Sequence, residues 1–160
     1  MGLILQQALA AMAGTFAFSL LFGVPRKYEV YCGVIGGAGW LVYAILTHYA
    51  ILTATEATFV STVFLTILCR CAAVIEKCPV TVFQTTGIFP LVPGAGIYWT
   101  SYYLVTGEID LASKNGFAAV KAALAIVLGI ITVFEIPNSF FGFICGRRNN
   151  HESNPGRSAV

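Results

Sequence analysis

A cluster of two prolines and two glycines interrupts a long apolar segment over residues 79–106. Pro90 and Pro93 each lack a backbone N–H donor and clash with the preceding turn of a helix. Gly94 and Gly96 add conformational freedom where helical continuity is already lost. A continuous helix over the whole segment would be about 42 Å long, whereas the core of a bilayer is only about 30 Å thick. The sequence therefore predicts two half-helices that meet near the bilayer midplane, with unwound backbone between them.

A helix break inside a bilayer is tolerated only where protein buries it or where it lines a watery cavity. Broken helices near the midplane form the substrate sites of transporters, and a plain proline kink in a packing helix is the alternative interpretation. Two prolines and two glycines within seven residues favour a site. The candidate substrate-binding residues are those of the break and its nearest polar neighbours: Gln84, Thr86, Pro90, Pro93, Gly94, Gly96 and Tyr98.

The two ends of the break indicate which ligand groups it suits. The half-helix that begins after Gly94 or Gly96 presents free N–H groups and the positive end of its dipole, which suit a carboxylate. The carbonyl end of the first half-helix, near Phe89, instead suits an ammonium group or a coupling cation. A small molecule with a carboxylate is therefore the expected ligand.

The composition excludes a soluble domain, because 58% of the residues are hydrophobic and only 10% are charged. An average soluble domain carries about 25% charged residues. The chain is predicted to be one integral membrane unit in a lipid bilayer, and its net charge of only +2 gives no case for nucleic-acid binding. The five cysteines lack metal-ligand spacing and are predicted to be small buried residues, so neither a metal nor a cofactor is expected.

The predicted fold class is an all-α integral membrane protein with five transmembrane helices, the fourth of them broken at Pro-Leu-Val-Pro-Gly. A single transmembrane domain is expected over residues 1–148, followed by a polar cytoplasmic tail over residues 149–160. The predicted spans cover approximately residues 3–23, 31–47, 57–75, 79–106 and 117–145.

Orientation follows from the distribution of lysine and arginine among the loops. Seven of these residues fall on one predicted side of the membrane, and only Lys114 and Lys121 fall on the other. The predicted N-terminus is therefore outside and the C-terminus is cytoplasmic. The seven residues are Arg26, Lys27, Arg70, Lys77, Arg147, Arg148 and Arg157.

Two charged residues in or near the spans have alternative interpretations. Glu135 is an interfacial charge if the last span ends there. If Pro137 is only a kink, Glu135 lies inside the bilayer, where an acid is by default a functional hypothesis such as proton coupling. Arg70 is expected to extend its side chain to the interface, and attraction of an anionic carboxylate is the functional alternative.

Two local patterns predict packing and capping rather than a site. Gly33, Gly36, Gly37 and Gly39 leave the middle of the second span almost bare, which favours close helix packing over direct substrate contact. The spacing of Thr53 and Glu56 predicts a capping box at the start of the third span.

A family resemblance rests on the residues around the break. Pro79-Val80-x-Val82-Phe83 followed by Ile88-Phe89-Pro90-Leu91-Val92-Pro93-Gly94 resembles the signature of the threonine/serine exporter family. The chain is most similar to the small subunit of the split, two-protein form, which corresponds to the C-terminal half of the fused exporters.

The resemblance implies a subunit of a secondary transporter in the bacterial inner membrane. Its substrate would be threonine, serine or a similar small amino acid, or a dicarboxylate such as succinate. It also implies a larger five-span partner related by an inverted repeat, with further copies of this chain as another possible partner. The alternative is a non-transporting structural or stabilising subunit. An enzyme is not expected, because no cluster of convergent acids, histidines or a nucleophile–base pair lies within the spans.

Overall fold

A computed structural model describes residues 2–49 and 52–137, which form six α-helices and one short 3₁₀ turn. No strand occurs in these residues, so the prediction of an all-α protein is confirmed for this part of the chain. Residues 138–148 and the predicted tail, 149–160, lie outside the described residues. The helices are α1 (Gly2–Leu21), α2 (Arg26–His48), α3 (Ala54–Glu76), α4 (Thr81–Gly87), α5 (Gly94–Thr106) and α6 (Ile109–Phe134), with the 3₁₀ turn (Phe89–Leu91) between α4 and α5.

Four of these helices, α1, α2, α3 and α6, are long and apolar enough to cross a membrane. The segment predicted as a broken fourth span is divided between α4, the 3₁₀ turn and α5, none of which is long enough alone. The protein is therefore a multi-pass, all-helical membrane protein with four candidate spans among the described residues.

The predicted boundaries of the second and last spans differ from the observed helices. The α2 helix begins at Arg26, five residues before the predicted start. The last span was predicted to begin at about residue 117, whereas α6 already begins at Ile109. Gly107 ends α5 with a positive φ of 83°, and the helix then restarts with Asp110 in its first turn, where a negative charge is favourable.

The glycines of α2 pack closely against its neighbours, as predicted. A Cβ atom added at Gly33 would lie 3.2 Å from the Met12 carbonyl oxygen of α1, and one at Gly37 would lie 2.9 Å from the Met12 Cβ. A Cβ atom added at Gly39 would lie 2.6 Å from the Leu65 side chain of α3. The bare glycine surface therefore holds α1 and α3 against α2 within this chain.

The ends of α3 are fixed by local chemistry. The Thr53 hydroxyl accepts a hydrogen bond from the Glu56 backbone N–H, and the Glu56 carboxylate accepts one from the Thr53 N–H at 2.8 Å. This confirms the predicted capping box. At the other end, Lys77 ends the helix in the left-handed conformation, and Lys27 pairs with Glu76, which joins the start of α2 to the end of α3.

The contacts between α3 and α6 show that these two helices run in the same direction. A Cβ atom added at Gly129 would lie 3.0 Å from the Thr62 Cβ, and further along both helices Arg70 donates a hydrogen bond to the Val133 carbonyl. Because α3 and α6 run in the same direction, the chain that links the end of α3 to the start of α6 must run back along the length of these helices. Residues 77–108, which contain α4, the 3₁₀ turn and α5, make that return.

The close α1–α2 contact predicts that Gly37→Leu lowers the stability of the chain by about 1–3 kcal/mol, the usual cost of forcing extra atoms into a packed interface. The measurement is thermal or denaturant unfolding in detergent. The matched control is Gly14→Leu in α1, because an added Cβ there would meet no atom within 4 Å. Equal stability losses in the two variants would contradict the packing argument.

Candidate functional site

The break between α4 and α5 is a tight succession of turns. After the 3₁₀ turn, Val92 is extended and Pro93 precedes the first turn of α5. The Val92 N–H donates to the Phe89 carbonyl at 3.2 Å, and the Leu91 N–H donates to the Ile88 carbonyl at 2.9 Å. The Phe89 carbonyl, predicted to suit a cation, is therefore already engaged by the backbone.

Aromatic contacts hold the first half of the break inside the α1–α3 bundle. The Phe89 ring stacks on Phe18 of α1 with ring centroids 4.1 Å apart. On α4, Phe83 is fully buried and packs edge-on against Tyr28 of α2 at 5.6 Å. A Cβ atom added at Gly87 would lie 3.4 Å from Ile35. The helix end before the break is thus buried in protein, as lipid requires of irregular backbone.

A cavity of about 300 Å³ lies beside the break and is called the break cavity here. Five parts of the chain form its walls, namely α2, α3, the linking residues, the start of α5 and the middle of α6. None of the described residues that line it is charged. The lining includes Trp40 and Tyr43 of α2, Thr55 and Thr58 of α3, residues 90–96, and Ala118 and Ala122 of α6.

Backbone N–H groups at the start of α5 lie on the wall of the break cavity. The Gly94 N–H donates to the Val92 carbonyl at 2.7 Å, and the Ile97 N–H donates to the Pro93 carbonyl at 3.1 Å. The N–H groups of Ala95 and Gly96 have no acceptor among the described residues, and no side chain caps the helix. These are the unpaired donors expected in the first turn of a helix, where the dipole also favours negative charge.

Trp40, which also lines the break cavity, has a buried unpaired donor of a second kind. Its indole nitrogen is buried and has no hydrogen-bond partner among the described residues, while its ring lies 5.1 Å from that of Tyr43. A buried donor without an acceptor costs about 1–3 kcal/mol. An uncharged cavity lined by Ala95 and Gly96, whose N–H groups are unpaired, suits a small ligand with a carboxylate.

The structure brings together four of the seven predicted substrate-binding residues. Pro90, Pro93, Gly94 and Gly96 line the break cavity. The other three, Gln84, Thr86 and Tyr98, do not line it.

Each of these three has a different environment. Thr86 is buried, and its hydroxyl donates to the Phe83 carbonyl at 3.3 Å. Gln84 is half-buried on α4. Gly96 and Thr100 face α6, where an added Cβ at Gly96 would lie 3.1 Å from the Ala119 Cβ. Tyr98, two residues further along α5 than Gly96, therefore faces away from α6 and is exposed.

Sequence reasoning did not identify the cavity residues of α2 and α3. Trp40 and Tyr43 are three residues apart and so share one face of α2, and Thr55 and Thr58 share one face of α3. That spacing was the available signal. It shows which residues share a face, but it does not show which face lies against the break.

Glu135 and Arg70 lie away from the break cavity. Glu135 follows the last residue of α6 and is exposed, about 20 Å along the helix axis from Ala122. Both alternatives for Glu135, an interfacial charge or an acid inside the bilayer, stay predictions. The expectation that Arg70 extends to the interface is wrong, because its side chain is buried and donates to the Val133 and Ile136 carbonyls.

Comparison with known proteins gives one family match. The model of a family described as "Threonine/Serine exporter, ThrE" matches residues 7–136, from the first turns of α1 to the residues just after α6. No curated protein and no solved structure gives a significant match to the chain.

The two tryptophans of the chain provide a test of the break cavity. Trp40 lines it, whereas Trp99 is exposed on α5. A small carboxylate such as threonine should change the fluorescence of Trp40 when it occupies the cavity. Trp99→Phe should therefore retain the ligand-dependent change, and Trp40→Phe should lose it, in titrations of the purified protein. A response that survives in Trp40→Phe and disappears in Trp99→Phe would place the ligand elsewhere.

Proposed function

Because the chain belongs to the threonine/serine exporter family, we propose that it is a subunit of a secondary transporter that exports threonine, serine or a similar small amino acid. The family consists of transporters rather than enzymes. The observation that carries the proposal is the break cavity, where the unpaired Ala95 and Gly96 N–H groups lie at the start of a half-helix. Discontinuous helices with such N-termini bind anionic substrate groups in transporters.

The lining of the break cavity favours an amino acid over a dicarboxylate. The unpaired N–H groups suit one carboxylate, and no described lining residue carries a positive charge for a second one. The Thr58 hydroxyl donates to the Ala54 carbonyl at 2.7 Å, so its oxygen still accepts hydrogen bonds from an ammonium or hydroxyl group. Succinate is the dicarboxylate to compare directly with threonine and serine.

The proposed topology has five spans, with the broken segment as the fourth. The parallel directions of α3 and α6 support it, because a return crossing is needed between them. The excess of lysine and arginine at the α2 start and the α3 end supports an outside N-terminus and a cytoplasmic C-terminus. The proposed location is the bacterial inner membrane.

The proposed partner is a larger five-span subunit of the same family. The α5 helix has no buried residue, and it exposes a row of aromatic side chains that includes Tyr98, Trp99 and Tyr102. With five spans, a related second chain joined in series would be inverted, as in transporters built from inverted repeats. Further copies of this chain are the other candidate for covering α5.

A coupling role for Glu135 stays a prediction. Its position beyond the end of α6 means that it would act near the cytoplasmic face in the proposed topology, and not in the break cavity. Coupling by an acid in the cavity itself would require a residue from the partner, because no described lining residue is acidic.

The topology predicts that the two termini lie on opposite sides of the membrane. A reporter that is active only outside should function when fused before residue 1, and a reporter that is active only in the cytoplasm should function after residue 160. Each fusion needs the opposite reporter at the same site as its control. If both termini report the same side, the chain does not have five spans.

The site predicts that Pro90→Ala/Pro93→Ala lowers threonine or serine export by about tenfold or more, because a straightened helix would pair the N–H groups that bind the carboxylate. The variant replaces the chromosomal copy, so that any partner is present. Efflux from preloaded cells is measured at matched protein levels.

The matched control is Pro79→Ala, which lies before α4 and does not line the cavity. Normal efflux from the double variant would mean that the break is only a packing kink. The chain would then be a structural or stabilising subunit, and the site would have to be on the partner.

A further inference from the structure

A column of buried polar side chains runs along the face of α3 that packs against α6. Thr58, Thr62, Thr66 and Arg70 recur at every fourth position and so share one face of the helix. All four are buried, with Thr62 and Thr66 completely so. A helix surface that only packed in a membrane would not need a buried arginine, because an ionisable side chain among the spans is costly.

The face of α6 opposite this column is small and smooth. Ala125, Gly129 and Val133 also recur at every fourth position and are buried. A Cβ atom added at Gly129 would touch the Thr62 Cβ at 3.0 Å, so the two helices are in direct contact there.

Beside these residues, Ile126 of α6 packs into the buried core that includes Leu65 and Cys69 of α3. Ile130 packs against the same core. Separating the two helices therefore uncovers part of that core but does not require either helix to unfold.

The threonines of the column keep capacity to bind a ligand. The Thr62 hydroxyl donates to the Thr58 carbonyl at 2.7 Å, and the Thr66 hydroxyl donates to the Thr62 carbonyl at 2.8 Å. Each hydroxyl oxygen therefore still accepts hydrogen bonds. Once α6 moves away, these oxygens form a polar track for the ammonium and hydroxyl groups of an amino acid.

The two ends of the column differ: one end opens on the break cavity, and the other is closed by hydrogen bonds between α3 and the end of α6. At one end Thr58 lines the break cavity. At the other end Arg70 donates to the carbonyls of Val133 and Ile136, and its guanidinium lies 5.5 Å from the centre of the Phe134 ring. Arg70 thus connects α3 to one carbonyl in the last turn of α6 and to one just beyond it, at the end distant from the cavity.

The rest of the packing allows α5 and α6 to move together as one hairpin. The α5 helix packs on α6 and buries none of its own residues, and α6 packs on α3. The link into the hairpin passes through Gly94, where an added Cβ would meet no atom within 4 Å. A swing about this link would open the α3–α6 contact and withdraw Ile126 from the core, while the contacts among α1, α2, α3 and α4 stay in place.

We propose that the substrate travels between the break cavity and the cytoplasm along the α3–α6 interface, and that Arg70 closes its cytoplasmic end. Thr62 and Thr66 are substrate-contacting residues of this path, and Arg70 is a positioning residue that holds α6 against α3. The inference rests on the proposed transport function and names the route that serves the same cavity.

A disulfide between α3 and α6 tests whether this interface must open. Thr62→Cys/Gly129→Cys places two thiols across the contact, and export is compared in the same cells before and after oxidation and again after reduction. Oxidation should lower export at least tenfold, and reduction should restore it. The control is Thr100→Cys/Gly116→Cys, which joins α5 to α6 where an added Gly116 Cβ lies 3.2 Å from Thr100. This disulfide lies within the α5–α6 hairpin and does not join it to α3, so export should persist after oxidation. Export by the oxidised wild type should also persist.

Unchanged export by the oxidised α3–α6 lock would overturn the path, while export by its reduced form would leave the proposed function intact. Absence of threonine, serine and succinate export by the wild type would instead refute the proposed function itself.

A labelling experiment remains decisive if the double variant does not transport. Thr66→Cys is treated in inverted membrane vesicles with a membrane-impermeant thiol reagent, and the labelled peptide is identified by mass spectrometry. Adding Arg70→Gln should speed labelling at least tenfold, because the charged donor of the two hydrogen bonds to Val133 and Ile136 is lost. Ser19→Cys is the matched control, because Ser19 is equally buried on α1. Equal acceleration at both positions would mean that Arg70 only stabilises the fold, and no acceleration at Thr66 would also overturn the proposal.

Discussion

The constraint on which the structure depends is that lipid cannot satisfy unpaired backbone groups. Pro90 and Pro93 create such groups in an apolar segment. The backbone groups on the two sides of the break have different surroundings. On the α4 side, N–H groups of the 3₁₀ turn and of Val92 donate to the carbonyls of Ile88 and Phe89, and the Phe89 ring packs on α1. On the α5 side, the N–H groups of Ala95 and Gly96 stay unpaired, and both residues line the break cavity. The break is a candidate binding site because backbone groups are hydrogen-bonded on its α4 side, whereas N–H donors are left unpaired on its α5 side.

Small side chains make this arrangement possible, because they let helices approach closely around the break. Because Gly37 has no side chain, α1 packs directly on the surface of α2, and Gly129 lets α3 pack in the same way on α6. The two contacts have different consequences. Several glycines and the Phe18–Phe89 contact join α1, α2 and the 3₁₀ turn. The α3–α6 contact combines small residues, the Ile126 side chain in the core beside Leu65, and Arg70 at its end. Among the described residues, the α5–α6 hairpin therefore meets the rest of the bundle mainly through α3.

The sequence predicted the features that depend on neighbouring residues alone. The helix ends around Pro93 follow from proline chemistry, and the Thr53–Glu56 capping box follows from a spacing of three. The start of α6 at Ile109 was missed, because Gly107 and the polar residues after it resemble a loop, although the positive φ at Gly107 lets a second helix begin almost at once. Trp40 was missed for a different reason. Trp40 lines the break cavity because particular faces of several helices meet there, and a single sequence does not show which helix faces meet.

The absence of charge in the described lining of the break cavity bears on selectivity. A zwitterionic amino acid carries no net charge, so a neutral cavity can accept it without an uncompensated charge, provided that both ionic groups find hydrogen bonds. The N–H groups of Ala95 and Gly96 suit the carboxylate, and the Thr58 oxygen suits the ammonium group or a substrate hydroxyl. A doubly charged succinate would bring one carboxylate without a matching cation. It would therefore need a positive group from outside the described lining, and the proposed partner subunit is one candidate source.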